Sequence, residues 1–335
     1  MNSRARFLAV IAGEKVDHPP LFPEGIREEV LLAWRAQGLA EGATLGGYFH
    51  YDEFEQLDPD VYPRPEIADW SDPKKLLPML RRRLDADDPR RLPADWEEQA
   101  RRWQGRDFPL LMRIHPGLLL SLGVADWRSF APALLRLVDE PETAQEIMAI
   151  QAEFAARLAE KILRQVDVDG AIFSEPIAGN HGPLISPEMY RRFALESYRP
   201  VFDVLRAHQV PAIIWRSYAN PDRLLPEVMK HPFNAVWLCE RPPGALAPAQ
   251  LRELIGGQAT LIGGIDGDVL RQDREAIRQA VAAARRLAAA GRFIPLADGR
   301  VRGDAPYTHY TFYRQELERA FRGQGDEDTL HKAPA

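Results

Sequence analysis

The chain has 335 residues, of which 45% are hydrophobic and 27% charged, a composition typical of a soluble globular protein with one large domain or two smaller ones. Its 43 basic and 49 acidic residues are mixed along the chain, so no Lys/Arg block follows a phosphate backbone, and nucleic acid is excluded as an expected partner. The absence of an apolar run of about 20 residues argues against a membrane span, and the single cysteine, Cys239, excludes an internal disulfide or a metal site of several thiolates.

The N-terminal half shows a less regular alternation of elements than the rest of the chain. Its start lacks the apolar core of a signal peptide, and we expect a cytoplasmic protein. Residues 64–106 are polar but contain three tryptophans, which predicts a helical insertion packed on the domain. The other predicted elements are helices over 3–12 and 26–37, and strands at 19–22, within 44–58 and at 107–114.

From residue 160 onward, short apolar runs alternate with amphipathic segments, as in βα units on a parallel sheet. The predicted strands there are 170–174, 211–215, 234–239, 259–264 and 293–297. With the three earlier strands this gives eight, enough to close a (β/α)₈ barrel over residues 1–322. A doubly wound sheet is the rival, but no glycine cluster forms the G-x-G-x-x-G turn of a dinucleotide fold. The tail 323–335 is expected to be disordered.

Several stretches carry a resemblance to a known family. They are RFLAVIAGEKVDHPPLFPEG (6–25), GPLISPEMYRRFALESYRPVFDVLRAH (182–208), LIGGID (261–266) and RFIPLADGRVRGDAPYTHYTFYRQEL (292–317). In this order they resemble the opening helix and first strand, the helix after the fourth strand, the seventh strand, and the eighth strand with the closing helix of the uroporphyrinogen decarboxylase superfamily. This superfamily includes corrinoid methyltransferases, and membership does not fix the reaction.

Departures from the family pattern narrow what the resemblance implies. The arginine-rich R-Q-A-G-R motif of true uroporphyrinogen decarboxylases is replaced by a region with scattered Arg27 and Arg35, which disfavours porphyrinogen decarboxylation. Zinc-dependent members carry His-x-Cys at the end of the fifth strand and a further Cys after the last one. The matching positions read Trp215-Arg216-Ser217 and Ala297-Asp298-Gly299. We therefore expect no bound metal and no zinc activation of a thiol.

In a (β/α)₈ barrel the reacting side chains come from the carboxyl ends of the strands. At those places the chain has four carboxylates and three guanidiniums, and carboxylates that share a dry site raise each other's pKa, so that one serves as a general acid. The predicted catalytic residues are Glu175, Asp298 and Glu240. The predicted substrate-binding residues are Arg113, His115, Trp215, Arg216, Asp266, Arg300 and Tyr307.

Each of these residues also has a purely structural interpretation. Glu175 caps a loop, Glu240 forms a local ion pair, and Asp266 caps the following helix. Trp215 is either a stacking wall or core. Arg216 either binds an anionic substrate with its planar fork or forms an ion pair at the barrel rim with a neighbouring glutamate. His115 and His181 shuttle protons or make structural hydrogen bonds, and Cys239 packs as a small apolar residue.

Two enzymatic hypotheses and one non-enzymatic hypothesis follow. The leading one is a methyltransferase that demethylates a small anionic or aromatic substrate. Its corrinoid belongs to a partner protein, since the chain has no D-x-H-x-x-G cobalamin-ligand motif. The runner-up is a metal-free decarboxylase in which Arg113, Arg216 and Arg300 orient substrate carboxylates. The third is a barrel that binds a small molecule or a protein without catalysis.

Overall fold

The structure, a computed structural model, describes residues 1–42, 44–297 and 300–323. The chain divides into two compact units. The terminal unit contains the described residues of Met1–Phe54 and Ala235–Ala335, and the central unit is Glu55–Asn234. Within the described residues, no helix is both long and apolar enough to cross a membrane.

The terminal unit begins with two helices, α1 (Ser3–Ala12) and α2 (Glu28–Arg35). The Asn2 side chain caps α1 by accepting from the Ala5 N–H, and Gly13 ends it in the left-handed conformation. The strand predicted at 19–22 does not form. Two prolines remove consecutive backbone donors there, and the Asp52 carboxylate and the Arg314 guanidinium bind the backbone N–H and carbonyls of residues 21 and 22 instead.

The central unit holds four parallel strands in the order β1 (Glu55–Leu57), β2 (Leu110–His115), β3 (Gly170–Glu175) and β6 (Ala212–Tyr218), with a short antiparallel hairpin of β4 (Ala178–Gly179) and β5 (Gly182–Pro183). The connecting helices are α3 (Pro73–Arg83), α4 (Trp96–Arg102), α5 (Leu118–Ser121), α6 (Trp127–Asp139), α7 (Pro141–Leu163), α8 (Pro187–Tyr190), α9 (Arg199–Ala207) and α10 (Leu225–Val228). A π-helical turn, Arg191–Leu195, continues α8.

The core of the central unit lies between one face of its sheet and the helices that cover it, where the strands present apolar side chains. Phe173 of β3 packs edge-on or tilted against the rings of Tyr198, Phe202 and Phe233 at centroid distances of 5.0 to 5.2 Å. The predicted insertion at 64–106 contains α3 and α4, and the rings of Trp96 and Trp103 lie 5.9 Å apart and are buried there.

The terminal unit continues with three parallel strands, β7 (Ala235–Cys239), β8 (Thr260–Ile265) and β9 (Phe293–Ala297). The helices between and after them are α11 (Pro248–Ile255), α12 (Arg274–Ala289) and α13 (Tyr307–Arg322). Ile277, Val281 and Ala284 form the buried stripe of α12, as their helical spacing predicts. The residues of the predicted tail after Gly323 lie outside the described part of the chain.

The predicted α/β class, with parallel strands joined by helices, is confirmed. In the described residues seven of the eight strands predicted for the barrel form. In place of the first, Gly25 makes a single parallel bridge with Arg300.

Candidate functional site

The carboxyl ends of β1, β2, β3 and β6 meet at one edge of the central unit's sheet, because the four strands are parallel. Ser174 lies opposite Arg216 in the register, and Arg113 lies opposite Ile172, two residues before Ser174. Since alternate residues of a strand point to opposite sides, Arg113, Ser174 and Arg216 share one face of the sheet. We call this the arginine face.

Polar side chains accompany both guanidiniums on the arginine face. Arg216 Nη1 donates to Gln56 Oε1 at 3.0 Å, and Arg113 Nε donates to Asp58 Oδ1 at 2.9 Å. The Arg113 guanidinium also lies 5.9 Å from the centre of the Tyr62 ring. Arg113 is 24% exposed and Asp58 is 46% exposed, so this ion pair lies in contact with water. Such a pair contributes little to stability.

The opposite face of the same strands carries a buried cluster of five side chains, here called the Glu175 cluster: His115, Glu175, Tyr190, Tyr198 and Trp215. None of them is more than 1% exposed. The Tyr198 hydroxyl donates to Glu175 Oε1, and the Leu118 N–H donates to Glu175 Oε2 at 3.0 Å. Trp215 Nε1 donates to the Tyr190 hydroxyl at 2.7 Å. The cluster therefore ties the sheet to its covering helices through α8, α9 and the start of α5.

Burial controls the protonation of this cluster. It raises the pKa of Glu175 to about 7. Hydrogen bonds from Tyr198, Leu118 and Tyr190 act in the opposite direction and lower this pKa, but their effect is smaller than that of burial. Burial also lowers the pKa of His115 to about 3. His115 Nδ1 accepts from the Gly117 N–H at 3.0 Å, so the neutral ring carries its proton on Nε2. The cluster thus contains a neutral histidine and a carboxyl that exchanges a proton near neutral pH.

The structure separates residues that the sequence analysis placed around one mouth. Glu175 and Trp215 lie against the helices, while Arg113 and Arg216 lie on the other side of the sheet. Trp215 and Arg216 are neighbours in one strand, and neighbours cannot share a face. The rim ion pair suggested between Arg216 and Glu175 does not form, because Glu175 is enclosed by tyrosine hydroxyls and a backbone N–H. Trp215 is core, as one of its two interpretations had it.

The predicted residues of the terminal unit have local partners. Arg300 Nη1 lies 3.1 Å from Glu240 Oε1 and forms an ion pair with it. Asp266 is exposed and caps the 3₁₀ helix Gly267–Arg271 by accepting from the Asp268 N–H. Tyr307 is buried at the start of α13, and its ring lies 5.6 Å from that of Trp34. Asp298 lies outside the described residues.

Sequence reasoning missed several polar residues. They include Gln56, which lies in the three-residue strand β1, and Asp58 and Tyr62, which lie in the loop after it. The sequence pattern there does not locate the strand more closely than 44–58. In the terminal unit, Glu24 is fully buried and accepts from the hydroxyls of Tyr310 and Tyr313 at 2.8 Å and from Arg314 at 3.4 Å. The available signal was a Pro-Glu-Gly turn directly after a predicted apolar strand. His181 is exposed, and Cys239 is buried.

Among the residues that the structure describes, no group of three or more His, Cys, Asp or Glu side chains is arranged to hold a metal ion. The donor set for a zinc ion bound in the manner of thiol-activating enzymes is therefore not assembled by these residues.

Comparisons with known proteins agree on the fold. The sequence model of the family "Uroporphyrinogen decarboxylase (URO-D)" matches residues 126–295, about half of the chain. A methyltransferase from Methanosarcina mazei is similar in structure, with a TM-score of 0.55 and 14% identity over 96% of this chain and 98% of that one. No curated protein matches significantly in sequence.

Two further structures are less similar. They are a putative vitamin-B12 independent methionine synthase from Listeria monocytogenes (TM-score 0.37, 11% identity, 64% of each chain) and xylanase B from Clostridium stercorarium F9 (TM-score 0.43, 12% identity, 89% of this chain and 88% of that one).

Proposed function

This chain belongs to the uroporphyrinogen decarboxylase (URO-D) family, and from that premise we propose that it is an enzyme that removes a methyl group from a small anionic or aromatic substrate. The acceptor is a corrinoid carried by a partner protein. The scattered arginines where a porphyrinogen decarboxylase has its arginine-rich motif support this reaction over porphyrinogen decarboxylation. The fold, which is similar to that of a methyltransferase along nearly the whole chain, is compatible with it.

The observation that carries the proposal is the arginine face. Two guanidiniums stand on one side of the parallel strands β2 and β6, which flank β3, at the end of the sheet where such folds place their chemistry. Gln56 holds Arg216 Nη1 and fixes the plane of its fork, which matches the two oxygens of a carboxylate. Arg113 brings a second cation beside the Tyr62 ring, which offers a surface to an aromatic substrate. A methylated aromatic or betaine-like carboxylate has the matching chemistry.

The bond between the methyl carbon and the substrate's oxygen or nitrogen breaks, the electron pair remains on that atom, and the methyl carbon bonds to the acceptor. A quaternary nitrogen then leaves as a neutral amine, whereas an ether oxygen leaves as an anion and takes up a proton. The predicted proton donors are Glu175, Asp298 and Glu240. Glu175 holds a proton near pH 7, but its side chain has no exposed surface. We therefore assign Glu175 the positioning of the loop at Gly117 and Leu118, and keep Asp298 and Glu240 as the proposed donors.

A corrinoid is assigned to a partner because this chain has no D-x-H-x-x-G motif to hold one. When bound to its own protein, the corrinoid supplies a nucleophilic metal centre that accepts the methyl group. The residues of this chain bind and orient the substrate and deliver the proton.

The test is a screen of methylated carboxylates and betaines with cob(I)alamin as the methyl acceptor. Methyl transfer is measured as the decrease in cob(I)alamin absorbance. We expect one substrate class to be demethylated, and Arg216→Ala to raise the KM. Arg206→Ala, which removes an exposed arginine of α9, is the matched control and should leave the KM unchanged. Release of carbon dioxide without methyl transfer would identify a decarboxylase instead, and substrate binding without turnover would identify a binding protein.

A further inference from the structure

The helix α6 exposes an apolar stripe to solvent. Trp127 is 87% exposed, Leu135 is 58% exposed and Val138 is 69% exposed. With the exposed Ala131 they follow the spacing of one helix face over three turns. We call these four residues the α6 stripe. An exposed patch of large apolar side chains in contiguous positions marks an interaction surface, unlike apolar residues scattered singly.

The helix that carries this stripe is firmly held. Asp126 and Ser129 form a capping box at its start, with the Asp126 carboxylate accepting from the N–H groups of Arg128 and Ser129 at 3.0 and 2.9 Å. Its other face is buried through Ala133 and Leu137 against the central unit. The stripe is therefore a fixed surface.

Two opposite charges stand beside the stripe on one edge of the helix. Arg128 is at its start and Asp139 at its end, 11 residues and about three turns apart, so both side chains leave the helix in nearly the same direction. Both residues are exposed, and within the described part of the chain neither side chain makes an ion pair.

We propose that the α6 stripe is the contact between two copies of this chain, which pair their α6 helices antiparallel about a two-fold axis. The axis passes between residues 133 and 134 of each helix. The same edge of both helices then lies side by side, and Arg128 of each copy faces Asp139 of the other. This contact is self-complementary, as an isologous interface requires.

The apolar side chains pair in nearly the same register. Trp127 of one copy would pack beside Val138 of the second copy, and Ala131 beside Leu135, each within two residues of the position directly opposite. The small Ala131 side chain near the middle lets the helices approach closely. The axes that the charge pairing and the two apolar pairings need differ by at most one residue, about 1.5 Å along the helix, so one arrangement accommodates both.

The size and charge of the surface favour a second copy over a lipid surface. Trp127 alone would bury roughly 200 Å² of the about 800 Å² per partner that a stable interface needs, and its neighbours supply more. A helix that binds anionic membranes has a lysine- and arginine-rich polar face. Here Arg128 is outnumbered by Asp126 and Asp139, and the charges of Arg136 and Glu140 offset each other in an ion pair.

Sedimentation equilibrium of the full chain over a concentration series tests the proposal, and we expect a monomer–dimer equilibrium. Leu135→Glu should weaken the dimer about a hundredfold, since it places two charges in the apolar contact. Leu32→Glu changes a residue of α2 with similar exposure, 56%, and should leave the dimer unchanged. Circular dichroism should show that both variants remain folded, because both positions are exposed.

Exchanging the charges at positions 128 and 139 tests the register. A folding defect in either variant could not produce a recovery of affinity when the two variants are mixed. Arg128→Asp alone and Asp139→Arg alone should each weaken the homodimer about tenfold or more, because each replaces two attractive pairs by two repulsive ones. Mixing the two variants should restore the affinity, since each copy then meets its complement at both pairs. A monomeric wild type, a dimer insensitive to Leu135→Glu, or a mixture no tighter than either single variant would overturn the proposal.

Discussion

Replacing Glu175 by glutamine should make the protein's stability depend on pH in a specific way. The pKa of Glu175 is about 7 in the folded protein, against an ordinary value of 4.5, because burial penalises its charge. The folded state therefore binds this proton more tightly than the unfolded state does. Wild-type stability relative to Glu175→Gln falls as the pH rises from 4.5 to 7 and stays level above that. At about 1.4 kcal/mol per pKa unit, the relative loss is about 3 kcal/mol.

His115 acts in the opposite direction and must be separated from this effect. Its pKa is lowered to about 3, so protonation of the unfolded chain removes stability as the pH falls below 6.5. Both proteins in the comparison keep His115, and the difference between them isolates Glu175. Urea denaturation at pH 5, 6, 7 and 8 gives this difference. Glu98→Gln, at an exposed position on α4, is the control and should show a constant gap. If the difference in free energy of unfolding between the wild type and Glu175→Gln is also independent of pH, Glu175 does not hold a proton in the folded protein.

Three further predictions concern binding and stability. Arg216→Ala should weaken binding of an anionic substrate by about 2 to 4 kcal/mol in calorimetric titration with a small change in melting temperature, and Arg216→Lys should recover part of the affinity. Arg314→Met should lower the free energy of unfolding by about 3 to 5 kcal/mol in urea titrations, because it strands buried Glu24, and adding Glu24→Gln should recover part of the loss. Gly117→Ala should destabilise the fold in thermal melts, since a Cβ would collide with the Ser174 carbonyl at a φ of +91°.

The strands from residue 170 onward were predictable because each is a continuous apolar run bounded by turn residues. The predicted strand at 293–297 has the same limits as β9, and the one at 259–264 differs from β8 by one residue at each end. The first predicted strand failed for a physical reason that the sequence displays. Pro19 and Pro20 cannot donate to a ladder, and the binding of the next residues by Asp52 and Arg314 depends on positions 31 to 292 residues away.

The side of the sheet on which each site residue lies was harder to predict than the strand itself. A half-buried strand shows its two faces by alternating apolar and polar residues. All six residues of β3 are buried, and β6 begins with the continuous apolar run 212–215, so neither strand shows that alternation before its last residues. From the sequence alone, the carboxyl ends of two strands are all that locate Ser174 and Glu175 on β3, and Trp215 and Arg216 on β6. Only the register decides that Glu175 meets Tyr198 while Arg216 meets Gln56.

This ambiguity changes which chemistry the same residues support. On one side of the sheet, a carboxyl enclosed by hydroxyl groups sets the position of a loop and the response of the fold to pH. On the other side, an amide holds a guanidinium whose proposed role is to bind an anion. Shifting β6 by one residue would place Arg216 among the aromatic rings, and shifting β3 by one residue would place Glu175 on the open face. The proposed role of Arg216 in substrate binding therefore depends on its strand register as much as on its charge.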